Sequence, residues 1–290
     1  MSSFKCNFCD TCNGKGCIGQ MPGMGGPLES RNFIHNCEDW KKIKSGPYEN
    51  NQPEIRLAPM TGAQENVGYE SERQFYIDMV NECLKANVPV TLGDGTPDTK
   101  LLWGIEAVKL AQKKNPQLKA SVFVKPYPDE KIFERFQWAL QAGNLMGIDI
   151  DSYSIITMRN LVHLEKKTPH QLAEIKKYLA KKGIPFAIKG VFSKEDMELV
   201  KEVKPDVIAV SNHGGRVEVR EGSTAEFLME NFAELKKYCA ELWVDGGIRT
   251  KDDFRKAASY GVNSVMLGRP FARALCEKKD FSLIVKSLKN

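Results

Sequence analysis

The sequence contains no long hydrophobic run and little net charge. No apolar stretch in its 290 residues approaches the ~20 residues that a transmembrane helix needs, and the first residues lack the apolar core of a signal peptide. The net charge is only +5, and lysine and arginine are scattered among acidic residues instead of forming a basic patch. We therefore expect a cytoplasmic globular protein that binds neither membrane nor nucleic acid.

The N-terminal residues 1–50 differ from the rest, being rich in Gly, Cys and Asn and poor in periodic apolar residues. Four of the eight cysteines lie close together here: Cys6, Cys9, Cys12 and Cys17. In a reducing compartment such clustering indicates metal or redox chemistry before disulfides. The spacing suits an iron–sulfur cluster or a zinc ion held by four thiolates, and free reduced thiols are the third alternative. We predict a metal-binding segment that a short helix around Phe33–Ile43 closes off.

From residue 51 onward, short apolar runs alternate with amphipathic helical stretches. The predicted strands are Ile55–Ala58, Val88–Leu92, Ala120–Val124, Met146–Ile150, Phe186–Lys189, Val207–Val210, Leu242–Val244 and Ser264–Leu267. The predicted helices are Glu70–Ala86, Leu101–Lys114, Asp129–Ala142, Pro169–Lys182, Ser193–Glu202, Thr224–Cys239, Lys251–Tyr260 and Pro270–Glu277. Eight such units predict an α/β fold, a (β/α)8 TIM barrel over residues 51–290. A doubly wound open sheet is disfavoured because no Gly-x-Gly-x-x-Gly follows the first strand.

The stretch Val207–Val217 takes a buried strand into a polar cluster that contains Ser211, His213 and Arg216. His213 can exchange a proton near neutral pH, and Arg216 can hold a carboxylate through two hydrogen bonds. The two glycines between them allow a planar ligand to approach the backbone closely. A lone histidine in this place would indicate an ordinary turn, whereas the whole cluster favours a functional site.

Glycine and arginine also follow the last two predicted strands. In TIM barrels the loops after strands seven and eight, together with a nearby helix N-terminus, commonly bind phosphate. Backbone N–H groups and two guanidinium groups would supply the binding energy. The residues predicted for this phosphate site are Asp245, Gly246, Gly247, Arg249, Gly268 and Arg269.

These motifs resemble those of the FMN-dependent α-hydroxy-acid oxidase/dehydrogenase family, which includes glycolate oxidase and lactate oxidase. The likeness is strong over about residues 183–278, weaker over 53–151 and absent over the cysteine-rich segment. It implies FMN at the barrel mouth, a small anionic substrate and a homo-oligomer. The reaction it implies is oxidation of a 2-hydroxy acid to a 2-oxo acid by hydride transfer to the flavin.

The resemblance also implies roles for particular residues. His213 matches the catalytic base, and Arg216 matches the clamp for the substrate carboxylate. Asp151 matches the aspartate that orients the histidine, and Tyr127 matches a tyrosine that contacts substrate. Lys189 matches the lysine beside the flavin ring. The other implied cofactor contacts are Ala58, Pro59, Met60, Lys125 and Ser211.

Two departures from the family leave other functions open. Lys125 stands where the family usually has glutamine, and Arg159 only approximates the position of a second substrate arginine. An FMN-dependent isomerase of the type 2 isopentenyl-diphosphate isomerase kind is one alternative. A non-catalytic flavin-binding or metal-binding relative is the other.

Overall fold

The structure is a computed structural model, and it describes residues 31–64, 69–155, 161–217 and 219–289. Several residues discussed above lie outside this part of the chain: Cys6, Cys9, Cys12, Cys17 and Arg159. The metal site therefore stays a prediction. Among the helices within the described ranges, none combines the length and the apolar character needed to span a bilayer.

Eight parallel strands form one sheet in the order β1-β8-β7-β6-β5-β4-β3-β2. The strands are β1 (Glu54–Leu57), β2 (Thr91–Gly93), β3 (Ala120–Val124), β4 (Gly143–Asp149), β5 (Phe186–Val191), β6 (Val207–Val210), β7 (Glu241–Val244) and β8 (Ser264–Leu267). The Leu57 N–H also donates to the Pro89 carbonyl at 3.1 Å, which joins β1 to the segment before β2. The sheet is thus a nearly closed barrel, and the predicted TIM barrel is confirmed.

Helices alternate with these strands. The helices that the structure describes are α1 (Arg31–Lys42), α2 (Glu72–Lys85), α3 (Thr99–Gln112), α4 (Asp129–Ala139), α5 (Pro169–Ala180), α6 (Lys194–Val203), α7 (Thr224–Leu235), α8 (Lys251–Ser259), α9 (Arg269–Cys276) and α10 (Phe281–Lys289). Short 3-10 helices, Ile150–Ser154 and His213–Gly215, follow β4 and β6. The capping hydroxyls of Ser193 and Thr250 begin α6 and α8 as the sequence predicts.

All eight predicted strands are present, with differences at their ends. β2 begins at Thr91, three residues later than predicted, because Pro89 has no N–H to donate to a neighbouring strand. The residue predicted to end β4, Ile150, instead begins a 3-10 helix. Helix α7 ends at Leu235, four residues before the predicted end. Helix α10 was not predicted.

The barrel interior is filled with side chains. It is packed by a small cluster of buried residues: Ala58, Phe123, Leu145, Ala187, Val207, Ala209, Trp243 and Met266. A larger buried cluster lies between the outer face of the sheet and the helices. Both faces of β6 are buried, and this strand reads as a continuous apolar run. Because side chains fill the interior, the place for a ligand is at the carboxyl ends of the strands.

Candidate active site

A cavity of about 510 Å³ opens at the carboxyl ends of the strands, a volume within the range of small-ligand and cofactor sites. Most of the residues predicted from the sequence line it: Ala58, Pro59, Met60, Lys125, Lys189, His213, Arg216, Asp245, Gly246, Gly247, Arg249, Gly268 and Arg269. The sequence reasoning missed three residues that follow β2 and also line the cavity: Gly95 and Thr96 in the loop, and Lys100 in the first turn of α3.

His213 lies in the 3-10 turn that follows β6. Its φ of +56° is uncommon for a residue other than glycine and is typical of functionally constrained positions. The Asn212 side chain holds this turn by accepting a hydrogen bond from the Gly215 N–H at 3.0 Å. Ser211 does not line the cavity, because its buried hydroxyl accepts a hydrogen bond from the His213 N–H at 3.3 Å. Ser211 therefore supports the turn.

Two carboxylates approach the same nitrogen of the histidine ring. Nδ1 of His213 lies 3.0 Å from Oδ1 of Asp151 and 3.4 Å from Oδ2 of Asp149. The predicted role of Asp151 in orienting the ring fits this contact. Asp149 was missed, although it precedes Asp151 by two residues at the end of β4. With Nδ1 held by carboxylates, Nε2 is the nitrogen left to accept a proton.

The close packing of these groups shifts their pKa values in opposite directions. Burial lowers the pKa of His213 to about 3, and the charges of Lys189 and Lys125 lower it further against the opposing effect of Asp149. Burial and the neighbouring charge of Asp149 raise the pKa of Asp151 well above its usual value. For Asp149 burial acts in the same direction, but the surrounding positive charges outweigh it and lower the pKa. At neutral pH His213 is therefore a neutral base, and of its two neighbouring carboxyl groups Asp149 carries a negative charge more readily than Asp151.

Lys189 is a buried ammonium with its own counter-ions. Its Nζ lies 3.0 Å from Asp149 and 3.7 Å from Asp245, at the ends of β4 and β7. Burial would lower the pKa of Lys189, but the charges of Asp149, Asp245 and Asp151 outweigh burial and raise it. Gly190 follows with φ of +96°, and a Cβ there would lie 2.5 Å from the Asp151 carboxyl carbon. Glycine is thus required for Asp151 to reach His213.

Arg216 lies beside the histidine at the cavity wall. Its Nη1 donates to the His213 carbonyl at 3.0 Å, so the guanidinium is fixed next to the base. This places a carboxylate-binding group and a proton acceptor in the same part of the cavity, as the sequence predicts.

Tyr127 does not line the cavity. Its N–H donates to the Lys125 carbonyl at 2.8 Å, which forms a three-residue turn that carries the side chain away from the strand direction. The ring is buried against the Arg135 guanidinium, whose central carbon lies 4.5 Å from the ring centre. Burial raises the pKa of the Tyr127 hydroxyl. The structure therefore does not bring Tyr127 to the other predicted catalytic residues.

The end of the cavity near β7 and β8 is basic. Arg249 and Arg269 line it, and α9 begins at Arg269, so the N-terminus of this helix lies at the cavity. Gly247 has φ of +78°, and a Cβ there would lie 1.6 Å from the Asn36 carbonyl oxygen of α1. The glycine is required because α1 packs against this loop. The guanidinium pair, the loop backbone and the cavity volume fit a ligand that carries a phosphate, as FMN does.

Comparisons with known proteins agree with this geometry. The sequence model of the FMN-dependent dehydrogenase family matches residues 107–280, more than half of the chain. The 2-hydroxyacid oxidase 2 of Rattus norvegicus is 38% identical over 98 residues, which are 33% of this chain and 28% of the relative. The 4-hydroxymandelate oxidase of Amycolatopsis orientalis is 38% identical over 92 residues, which are 32% of this chain and 26% of the relative.

Solved structures extend the likeness to the whole fold. A mandelate oxidase with (S)-2-phenylpropionate aligns over 92% of this chain and 85% of its own, with a TM-score of 0.67 and 18% identity. A flavocytochrome b2 mutant with pyruvate aligns over 92% of this chain and 74% of its own, with a TM-score of 0.64 and 19% identity.

The chain belongs to the FMN-dependent dehydrogenase family, and this membership indicates FMN as its cofactor. The sequence match covers less than a third of the length of the two oxidases that it was aligned with.

Proposed function

We propose that this protein oxidises a small 2-hydroxy acid to the 2-oxo acid with FMN as hydride acceptor. The observation that carries the proposal is the neutral, partly buried His213, which Asp149 and Asp151 hold and which faces a cavity whose far end is basic. Arg216 beside it supports a substrate that carries a carboxylate. The names of the sequence relatives, a 2-hydroxyacid oxidase and a 4-hydroxymandelate oxidase, support the same class of substrate.

The residues that would hold FMN lie at two places in the cavity. Arg249, Arg269 and the N-terminus of α9 would bind the phosphate, and the strand-end residues Lys125 and Lys189 would contact the ring. Bound FMN would supply the acceptor for a hydride from the substrate α-carbon.

The chain's own residues would do the remaining chemistry. Nε2 of His213 would accept the proton of the substrate hydroxyl, and Arg216 would hold the carboxylate in two hydrogen bonds. The ionised Asp149 would stabilise the imidazolium that forms. The substrate thus loses one proton to His213 and one hydride to the cofactor, which leaves the 2-oxo acid.

The alternative functions have less support. An isomerase would not need a carboxylate-paired histidine beside an arginine that can clamp a carboxylate, and the relatives described above are named as oxidases. A non-catalytic relative would gain nothing from keeping two buried carboxyl groups and the buried Lys189 beside His213, since burying charges costs free energy. A homo-oligomer and a cytoplasmic location stay predictions.

Removing the basic end of the cavity tests the cofactor site. We expect Arg269→Ala to weaken FMN binding about 10- to 100-fold, because a charge-assisted contact to the phosphate contributes ~1.5–3 kcal/mol. FMN retained after dialysis, measured by absorbance and by release on denaturation, gives the result. Arg249→Ala should act in the same direction.

The matched control is Arg255→Ala, which removes an exposed arginine of α8 that does not line the cavity. It should retain FMN like the wild type. Full retention in both Arg269→Ala and Arg249→Ala would show that the phosphate site is assigned wrongly.

A further inference from the structure

Lys125 is a buried lysine that faces the cavity. It follows β3, it is only 6% exposed, and it lines the same cavity as Lys189. We call these two strand-end residues, Lys125 and Lys189, the cavity floor. They differ in one respect, which is the charge that surrounds each ammonium group.

The carboxylates near Lys125 are bound to other cations. Oδ2 of Asp94 accepts a hydrogen bond from Nε of Arg135 at 2.8 Å. Oδ1 of Asp149 accepts one from Nζ of Lys189 at 3.0 Å. Within the described ranges of the chain, no carboxylate oxygen lies within 4.0 Å of the Lys125 ammonium. Burial lowers the pKa of Lys125, against the more distant charges of Asp149, Asp94 and Asp151.

The charge balance at the cavity floor therefore depends on Lys125. The ammonium of Lys189 is compensated by Asp149 at 3.0 Å and by Asp245 at 3.7 Å. Among the residues that the structure describes, no carboxylate lies as close to Lys125, and a buried ammonium without a close counter-ion is costly. Such a residue is tolerated where a ligand brings the missing negative charge to it.

We propose that Lys125 compensates the negative charge that FMN gains on reduction. This inference rests on the proposed function, since it requires FMN in this cavity. A flavin held by its phosphate near β7 and β8 has the rest of the cavity for its ring, and both floor lysines lie there. Hydride transfer brings two electrons and one proton, so the ring gains one negative charge. Lys125 forms no covalent bond in this step.

The charge of Lys125 should therefore favour the reduced cofactor. Replacing it with the neutral Lys125→Gln should decrease the equilibrium constant for two-electron reduction at least about tenfold, which is ~30 mV in midpoint potential. The measurement is a titration of the FMN-loaded protein against a redox dye of known potential, without any substrate. Lys125→Met, which has a similar length and no charge, should give the same shift.

Two variants control for other causes. Lys125→Arg keeps the positive charge. Its equilibrium constant for two-electron reduction should stay within about threefold of the wild-type value. Lys167→Gln is the matched buried lysine: its side chain is also fully buried, but Nζ lies 2.7 Å from Asp129 and 2.9 Å from Glu165, outside this cavity. Its removal should leave the potential unchanged.

The outcomes separate this inference from the proposed function. An unchanged potential in both Lys125→Gln and Lys125→Met, with FMN retained, would overturn the role of Lys125 and leave the oxidase proposal intact. An equal shift in Lys167→Gln would overturn it as well, because the effect would then be general. A wild-type protein that binds no FMN would refute both.

Discussion

His213 owes its character as a base to the two acidic side chains that share its Nδ1. Asp149 and Asp151 are two residues apart, yet their pKa values shift in opposite directions. Burial and the charge of Asp149 raise the pKa of Asp151, whereas nearby positive charges lower the pKa of Asp149 despite its burial. Of the two acidic groups beside the imidazole, Asp149 therefore carries the negative charge more readily.

This arrangement predicts how the rate of flavin reduction depends on pH. Since the pKa of His213 is about 3, the base stays deprotonated from pH 8 down to pH 5. An ordinary histidine base would become protonated below about pH 6.5, and the rate would then fall tenfold per pH unit. We do not expect this fall here. Asp149→Asn should slow reduction about 10²-fold throughout, because the imidazolium loses its counter-ion. Because the pKa of Asp151 is raised and that of Asp149 is lowered, Asp151→Asn should slow reduction less than Asp149→Asn does.

Rapid-mixing measurements with one substrate, from pH 5 to pH 8, would check these three profiles. A larger loss in Asp151→Asn than in Asp149→Asn would assign the negative charge to the other carboxylate. If the wild-type rate instead decreased as the pH fell through about 6.5, burial would not lower the pKa of His213 in solution.

Helix α1 is the element that holds the catalytic and phosphate-binding loops together. The Asn36 amide donates to the Asn212 side chain at 2.7 Å and accepts from it at 3.1 Å. The same Asn36 oxygen accepts a hydrogen bond from the Thr224 N–H at 3.0 Å. Nε1 of Trp40 donates to the Gly246 carbonyl at 2.7 Å. One helix outside the barrel thus fixes the loops after β6 and β7.

The role of α1 predicts that Asn36→Ala loosens both loops at once. Removing this amide leaves buried groups of Asn212 and Thr224 without their partner, which typically costs ~1–3 kcal/mol per group. We expect a lower free energy of unfolding in urea, and faster loss of FMN on dialysis. Ile34→Ala, an exposed position of the same helix, is the control and should change stability by less than ~0.5 kcal/mol.

If Asn36→Ala lowers the free energy of unfolding but retains FMN as the wild type does, α1 stabilises the fold without positioning the phosphate loop.

The elements that the sequence predicts well are those with local signals. Apolar runs and capping hydroxyls locate all eight strands and the starts of α6 and α8 within a few residues. Contacts between distant residues leave no such signal: Asn36 and Asn212 are far apart in the chain, so the packing of α1 on the loops was not predicted. The position of the Tyr127 side chain away from the cavity has no local signal either, because a turn that begins at Lys125 ends the alternation that a strand would continue.

At the scale of the whole molecule, the packed barrel interior explains why the site lies at the mouth. Sequence periodicity predicts the barrel, and the barrel brings together polar residues from the ends of β2 to β8, because the carboxyl ends of parallel strands meet at one face. This is why most predicted cavity residues lie together. The charge state of each residue depends on burial in three dimensions, and sequence alone does not give it.

The central claim is that this barrel oxidises 2-hydroxy acids with His213 as the base. Anaerobic stopped-flow mixing with a panel of short 2-hydroxy acids tests it directly, with loss of flavin absorbance as the signal. We expect at least one acid to reduce the wild type, and His213→Asn to reduce ~10²–10⁴-fold more slowly with its FMN content unchanged. Reduction of His213→Asn at the wild-type rate, or no reduction of the FMN-loaded wild type by any acid, would contradict the account.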